Sequence, residues 1–307
     1  MEKMRTNGVS LMDPRTLKFY EVSLCEALTL ILEKKHPTVV NFETRTKCNS
    51  FCEFCPAAVQ NEIREDTQMP VEIFEKVVQD LSAREYKNIL CFQLNNEPLL
   101  DDRIVDFIAY ANKELPEARK KIVTNGTFLT LEKAKALVQS GISLMVVDNY
   151  SPNTKYTEAL KEIEAYIKDT HPNVNLSVQY NRNLKEIKSN RGGRARTDTH
   201  KMSDIIQEKA NLKNNYPCYR PFSSLTTTTD GRIGLCCYDV YFDLCIGNIK
   251  DGNVLDTYHN EKATKIRLEL LRANRSFVKC CDFCDVFYCN DFQLRKDGLS
   301  NKEMQIQ

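Results

Sequence analysis

Alternating strand and helix patterns from Thr38 to about residue 190, and a change to cysteine-rich sequence near residue 200, predict an α/β fold. A parallel sheet is followed by a smaller second module, and 307 residues leave room for both. Lys and Arg number 43 against 42 Asp and Glu, so the net charge of +1 gives no bulk attraction to nucleic acid or to an acidic membrane. Apolar residues make up 42%, enough for an ordinary core. No apolar run approaches the roughly 20 residues that span a bilayer. The polar stretch Met1 to Asp13 has no apolar signal-peptide segment. The expectation is a soluble, cytoplasmic protein that uses neither membrane nor nucleic acid.

Residues 1–37 read as an extension, with Ser23 to Lys35 as an amphipathic helix stopped by Pro37. Val39 to Phe42 is the first strand. Pro70 opens a helix with Phe74, Val77, Val78 and Leu81 on one face. Asn88 to Leu94 is the second strand, and Arg103 to Asn112 a helix turning Ile104, Phe107, Ile108 and Ala111 inward. Lys121 to Thr124 is a strand, and Thr130 to Ser140 a helix closed by Gly141. Ser143 to Asp148 is a strand, Tyr156, Leu160, Ile163 and Ile167 mark a helix, and Asn175 to Tyr180 is a strand. Five or six such units are too few for a closed eight-fold barrel, leaving a partial barrel or an open sheet. In either, ligands sit at the carboxyl ends of the strands. Residues 181–201 hold seven Lys or Arg and two Asp or Glu, a surface connection or a lip over the site. Beyond it one helix stands out, Asn260 to Asn274.

Cysteine is the exception to this profile. There are 13, an odd number, and a reducing compartment would not use them as a disulfide framework. Cys25 and Cys91 are isolated among apolar residues and read as small buried hydrophobes. The rest form three groups: Cys48, Cys52 and Cys55; Cys218, Cys236, Cys237 and Cys245; Cys280, Cys281, Cys284 and Cys289. Clustered thiolates of this kind are metal ligands. The first group, C-x3-C-x2-C, directly follows the first strand. Three thiolates so spaced can cap three corners of a [4Fe–4S] cluster, which needs a fourth ligand to saturate its irons. No fourth cysteine or histidine lies nearby, so one iron would stay open for a substrate or cofactor. Zinc, which prefers paired C-x2-C units, or three unrelated thiols are the alternatives. His36, His171, His200 and His259 make no metal or triad spacing.

With Phe54 before its last cysteine, this motif resembles the signature of the radical S-adenosylmethionine (SAM) enzymes. Asn95-Asn96-Glu97-Pro98 resembles the family's Gly-Gly-Glu motif, which holds the SAM amino group; both glycines are Asn here. Thr124-Asn125-Gly126 and Val147-Asp148 are similar to later family motifs. The resemblance covers residues 38–190 or so and implies a partial (β/α)6-type barrel over 38–200. It implies that Cys48, Cys52 and Cys55 hold a [4Fe–4S] cluster whose open iron chelates SAM. Asn95, Asn96, Glu97, Asn125 and Asp148 become SAM-binding candidates. In that family the reduced cluster splits SAM, and the 5′-deoxyadenosyl radical takes a hydrogen atom from substrate; a flavodoxin- or ferredoxin-type protein would donate the electron.

Downstream, Cys218, twelve residues, Gly231, four residues and Cys236, then Cys281-x2-Cys284-x4-Cys289, resemble the SPASM domain. That module of radical SAM enzymes carries auxiliary iron–sulfur clusters. No cysteine follows Cys289, which favours the shortened, single-cluster form called twitch, over residues 201–307. The resemblance gives its [4Fe–4S] cluster Cys218, Cys236, Cys281 and Cys284 as ligands, with Cys237 and Cys280 as alternatives one residue away. Ile246-Gly247-Asn248-Ile249, the helix with Lys265 and Arg267, and Asn190-Arg191-x-Gly193 fit the same module.

A fully cysteine-ligated cluster cannot chelate substrate but can accept an electron, which suits dehydrogenation of a secondary alcohol. The spacing resembles twitch enzymes acting on aminocyclitols and sugars, so the expected substrate is a small, polar, sugar-like molecule. Arg191, with Arg194 and Arg196, is the candidate contact for its hydroxyl or for a phosphate. Cys245 and Cys289 are candidate hydrogen-atom donors if the outcome is epimerisation instead. Peptide modification and a non-catalytic iron–sulfur scaffold are the other readings.

Overall fold

The computed structural model describes residues 25, 27–52, 55, 64–148, 158–179, 217–282 and 284. They form one eight-stranded sheet in the order β5-β4-β3-β2-β1-β6-β7-β8. Strands β1 (Val39–Phe42), β2 (Ile89–Cys91), β3 (Arg119–Thr124), β4 (Leu144–Asp148) and β5 (Asn175–Gln179) lie parallel, each beside its predecessor. Helices α1 (Val71–Ser82), α2 (Ile104–Glu114), α3 (Leu131–Gln139) and α4 (Glu158–Thr170) connect or follow them. This is the predicted α/β alternation, unclosed.

Residue choice explains each unit. Pro70, with no N–H to satisfy, precedes α1, which buries Phe74, Val77, Val78 and Leu81. Phe74 stacks among Phe107, Phe42 and Phe92, with ring centroids 4.3, 5.1 and 6.1 Å away. Thr130 caps α3 by accepting the N–H of Lys133 at 3.1 Å. Gly141 ends it at φ +97°, where a side chain would strike Asn112. Strand β2 is shorter than predicted. The Asn96 side chain takes the Leu94 N–H at 3.0 Å, and the chain turns into the 3-10 helix Pro98–Leu100.

The sixth parallel strand differs from expectation. It is β6 (Ser224–Thr227), which follows the short helix α5 (Arg220–Ser223) and lies beyond the composition change at residue 200. It pairs with β1, not with β5. Its sequence, Ser-Leu-Thr-Thr, carries too little apolar alternation to announce a strand. Asn41 of β1 donates to Ser224 Oγ and to the Leu225 carbonyl, both at 3.2 Å, and joins the two strands through side chains. Strands β7 (Arg232–Gly234) and β8 (Cys245–Asn248) continue antiparallel. The β6–β7 turn needs Gly231, at φ +80°, because a Cβ there would lie 2.6 Å from Ile249.

The C-terminal segment folds back over this edge through α6 (Val254–Tyr258) and α7 (Glu261–Leu271). Asp80 of α1 accepts the Val254 N–H at 3.0 Å. Arg267 of α7 is fully buried, with its guanidinium 4.1 Å from the Tyr258 ring centre. It donates to the carbonyls of Pro221, at 3.0 Å, and Tyr258, at 2.7 Å. Arg267→Leu strands those carbonyls in the interior and should cost about 2–4 kcal/mol, read from the urea midpoint. Arg272→Leu, on the exposed face at the end of α7, should stay within about 0.5 kcal/mol.

Candidate active site and auxiliary metal centre

Strands β1 to β4 all run their carboxyl ends to one edge of the sheet, and there the predicted site residues collect. After β1 the chain enters the Cys48 loop, whose base is closed by a return segment, residues 64–69. The N–H of Thr46 donates to the Thr67 carbonyl at 3.0 Å, and that of Met69 to the Thr44 carbonyl at 2.8 Å. Glu43 is fully buried and accepts both arms of Arg64, at 2.9 and 2.7 Å. Lys47 Nζ donates to the Arg64 carbonyl at 2.6 Å, and Arg45 makes two bonds to Asp66, at 2.8 and 2.7 Å. Both stems of the cysteine loop are thereby fixed to the sheet.

Cys48, Cys52 and Cys55 are half-buried thiols. The Ser50 N–H points at Cys48 Sγ, 3.4 Å away, and the Cys55 N–H donates to the Cys52 carbonyl at 2.8 Å. Burial, helped by the nearby Glu97 and Cys55, pushes the Cys48 thiol up to about 11. Metal binding at Cys48 must therefore release its proton.

Glu97 ends the second unit and is 2% exposed. Its carboxylate accepts the Thr124 hydroxyl at 2.6 Å and the N–H groups of Asn125 and Leu99 at 2.8 and 3.1 Å. Burial nevertheless holds its pKa above the usual value, with those three bonds opposing. Glu97 is thus a clamp between the ends of β2 and β3. Asn125 extends it, donating to Asn49 Oδ1 at 2.9 Å and Ser50 Oγ at 3.0 Å inside the cysteine loop. Gly126, at φ +79°, allows that turn, where a Cβ would lie 2.9 Å from the Val147 side chain. Asp148 closes β4 on the same edge. Asn95 and Asn96 are each 7% exposed, and among the described residues their Nδ2 atoms find no acceptor. Two buried amide donors beside three thiols fit a polar cofactor carrying carboxylate or ribose oxygens.

The second centre is a small cavity lined by Cys218, Cys236, Cys281 and Cys284, and also by Cys280. It lies between α5, the β7–β8 connection and α8 (Lys279–Asp282). Five thiols without a disulfide line it, enough donors for a cysteine-ligated cluster. Burial drives the Cys218 and Cys236 thiols upward. Cys237 is not in the lining; Arg220 Nη1 approaches its Sγ at 3.8 Å. Cys280 lies 3.9 Å from Cys281, sulfur to sulfur, and its thiol bonds Asp239. Asp239 accepts the N–H groups of Asp243, at 3.0 Å, and Leu244, at 2.6 Å, and burial raises it to about 6.

Cys245 opens β8, three strands from β1, and its thiol donates to the Gly247 carbonyl at 3.5 Å. The structure does not bring it to the first site. Arg191 and Cys289 lie outside the described residues. Sequence reasoning passed over Arg220, Asp239 and Arg275, all of which line the second cavity; their only signal was proximity in sequence to its cysteines.

Residues 43–187 match the model of the radical SAM superfamily. Residues 218–285 match that of SPASM, an iron–sulfur cluster-binding domain. The chain carries a radical SAM domain followed by a SPASM domain. These domains imply a [4Fe–4S] cluster with SAM in the first part and auxiliary iron–sulfur in the second. A relative from Niallia circulans, an S-adenosyl-L-methionine-dependent 2-deoxy-scyllo-inosamine dehydrogenase, is 25% identical over 249 residues, 81% of this chain and 92% of the relative. Among solved structures, BtrN in complex with AdoMet and 2-DOIA aligns over 82% of this chain and 94% of its own, at 24% identity and a TM-score of 0.65. anSMEcpe with bound AdoMet aligns over 81% and 85%, at 12% identity and a TM-score of 0.55. These two share the fold. Among the described residues no helix is long and apolar enough to cross a membrane.

Glu97→Ala removes the acceptor of three protein donors in a closed site. It should lower stability by about 2–4 kcal/mol in a urea titration. It should also weaken SAM binding, measured by equilibrium dialysis of the anaerobic protein, because Asn125 and the cysteine loop lose their anchor. Unchanged affinity would mean that the clamp serves folding alone.

Proposed function

We propose that this protein is a radical SAM dehydrogenase that oxidises a secondary alcohol of a small aminocyclitol- or sugar-like substrate. The observation that carries the reading is the cavity of convergent thiols formed by Cys218, Cys236, Cys281 and Cys284, separate from the Cys48 loop. A cluster held by four cysteines has no open iron, so its use is electron transfer. Oxidation of a carbinol needs such a sink, and epimerisation does not. The 92% coverage of a dehydrogenase relative supports the same reading.

Cys48, Cys52 and Cys55 would hold the SAM-binding [4Fe–4S] cluster. Cys218, Cys236, Cys281 and Cys284 would hold the auxiliary one. When bound, the first cluster and SAM supply the 5′-deoxyadenosyl radical that takes hydrogen from the substrate. The chain's own residues bind and orient. Asn95 and Asn96 offer buried amide donors to SAM. Glu97 acts through Asn125, which keeps the cysteine loop in register with β3. Asp148 would face the adenosine or the substrate from the end of β4, and Arg191 would contact the substrate hydroxyl. A flavodoxin- or ferredoxin-type protein would provide the initiating electron.

By ligand count, the anaerobically loaded protein should hold roughly eight irons, and replacing Cys48, Cys52 and Cys55 with Ala should leave about four. Loss of all iron from the folded triple variant would remove the second centre from the account. The outcome of the reaction is read by turning over 2-deoxy-scyllo-inosamine, the substrate named for the relative, in deuterated water. A dehydrogenase gives a product lighter by two hydrogens with no carbon-bound label, and Cys245→Ala stays active. Deuterium at the carbinol carbon without net oxidation would make the protein an epimerase.

A further inference from the structure

Two arginines border the proposed auxiliary centre, and the inference drawn from them rests on the reading of that centre given above. Arg220 opens α5, two residues after Cys218, and Arg275 lies in the 3-10 turn Arg275–Phe277 just before α8. Both line the cavity that the four cysteines share. Arg275 is 1% exposed, so its charge acts with little solvent screening. The Arg220 guanidinium is held in place, 5.0 Å from the centre of the Tyr238 ring and with Nη1 3.8 Å from Cys237 Sγ. Among the described lining residues the acid is Asp239, whose carboxylate is already turned to the N–H groups of Asp243 and Leu244. Cysteines aside, the described lining sets two arginines, charged at any working pH, against that single carboxylate.

We propose that Arg220 and Arg275 raise the reduction potential of the auxiliary cluster, so that it takes the second electron of the oxidation. The electron count is short. One hydrogen atom leaves the carbinol carbon for the 5′-deoxyadenosyl group, the hydroxyl proton goes to solvent, and one electron remains to be removed. An oxidised [4Fe–4S] cluster with four thiolates is a dianion and becomes a trianion on accepting it. It later passes the electron to a one-electron carrier protein of the ferredoxin or flavodoxin class. Two fixed cations favour the more negative state, and net charge is one of the quantities that set such potentials.

The test uses the full chain with Cys48, Cys52 and Cys55 replaced by Ala, loaded anaerobically so that only the auxiliary cluster is present. Its midpoint potential is titrated by electron paramagnetic resonance. Adding Arg275→Gln should shift the midpoint to more negative values with the iron count unchanged, and Arg275→Lys should return it towards the parent. Arg220→Gln should shift it in the same direction by less, because that side chain is only half-buried. It also carries the test alone if Arg275→Gln fails to take up iron. Midpoints equal to the parent's in iron-loaded Gln variants overturn the proposal. A parent triple variant without iron overturns instead the auxiliary centre on which it stands.

Discussion

The pairing of β1 with β6 is the constraint on which the rest of the molecule depends. Strand β1 delivers the Cys48 loop, and β6 begins six residues after Cys218, so one ladder fixes both cysteine sets to the same sheet. The Asn41 amide bonds to Ser224 and Leu225 make that junction specific, since an apolar residue there would leave the Ser224 hydroxyl buried without its partner. The Glu43 N–H then donates to the Thr227 carbonyl at 2.9 Å and carries the ladder past the end of β1 to the stem of the cysteine loop. Two centres with different tasks are in this way set at a separation fixed by strand spacing.

Much of the α/β framework was legible in the sequence because its cause is local. Pro70 and Thr130 start helices, Gly141 ends one, and the rows Phe74-Val77-Val78-Leu81 and Leu160-Ile163-Ile167 repeat at the period of a helix with one buried face. Strand β6 was not legible. Its burial comes from neighbours on both sides and from side-chain bonds to Asn41, and neither leaves a period in Ser-Leu-Thr-Thr. The cysteine motifs announced the two centres by spacing alone. The groups around them were hidden for the opposite reason. Glu97 was read as a ligand contact; that its carboxylate also accepts from Thr124, Asn125 and Leu99 is visible only when two strand ends meet.

Burial also governs the chemistry of the thiols. Burial raises the pKa of Cys48, Cys218 and Cys236, so each of these thiols holds its proton more tightly than an exposed cysteine. Cluster loading is then coupled to proton release and to the stability of the loops that carry the ligands. The clamp of Glu97 and Asn125 and the Glu43–Arg64 pair tie the first loop to the sheet. Around the second cavity, Asp239 and Arg267 hold the lining segments: Asp239 through the backbone of residues 243–244, and Arg267 through the carbonyl of Pro221.

The central claim is that hydrogen leaves a carbinol carbon for the 5′-deoxyadenosyl group and that the substrate is thereby oxidised. The most direct measurement uses 2-deoxy-scyllo-inosamine carrying deuterium on the carbon to be oxidised, with the mass of the released 5′-deoxyadenosine as readout. The account predicts one deuterium in 5′-deoxyadenosine for each ketone formed. Ketone formed alongside unlabelled 5′-deoxyadenosine, or labelled 5′-deoxyadenosine with no oxidised product, would contradict it.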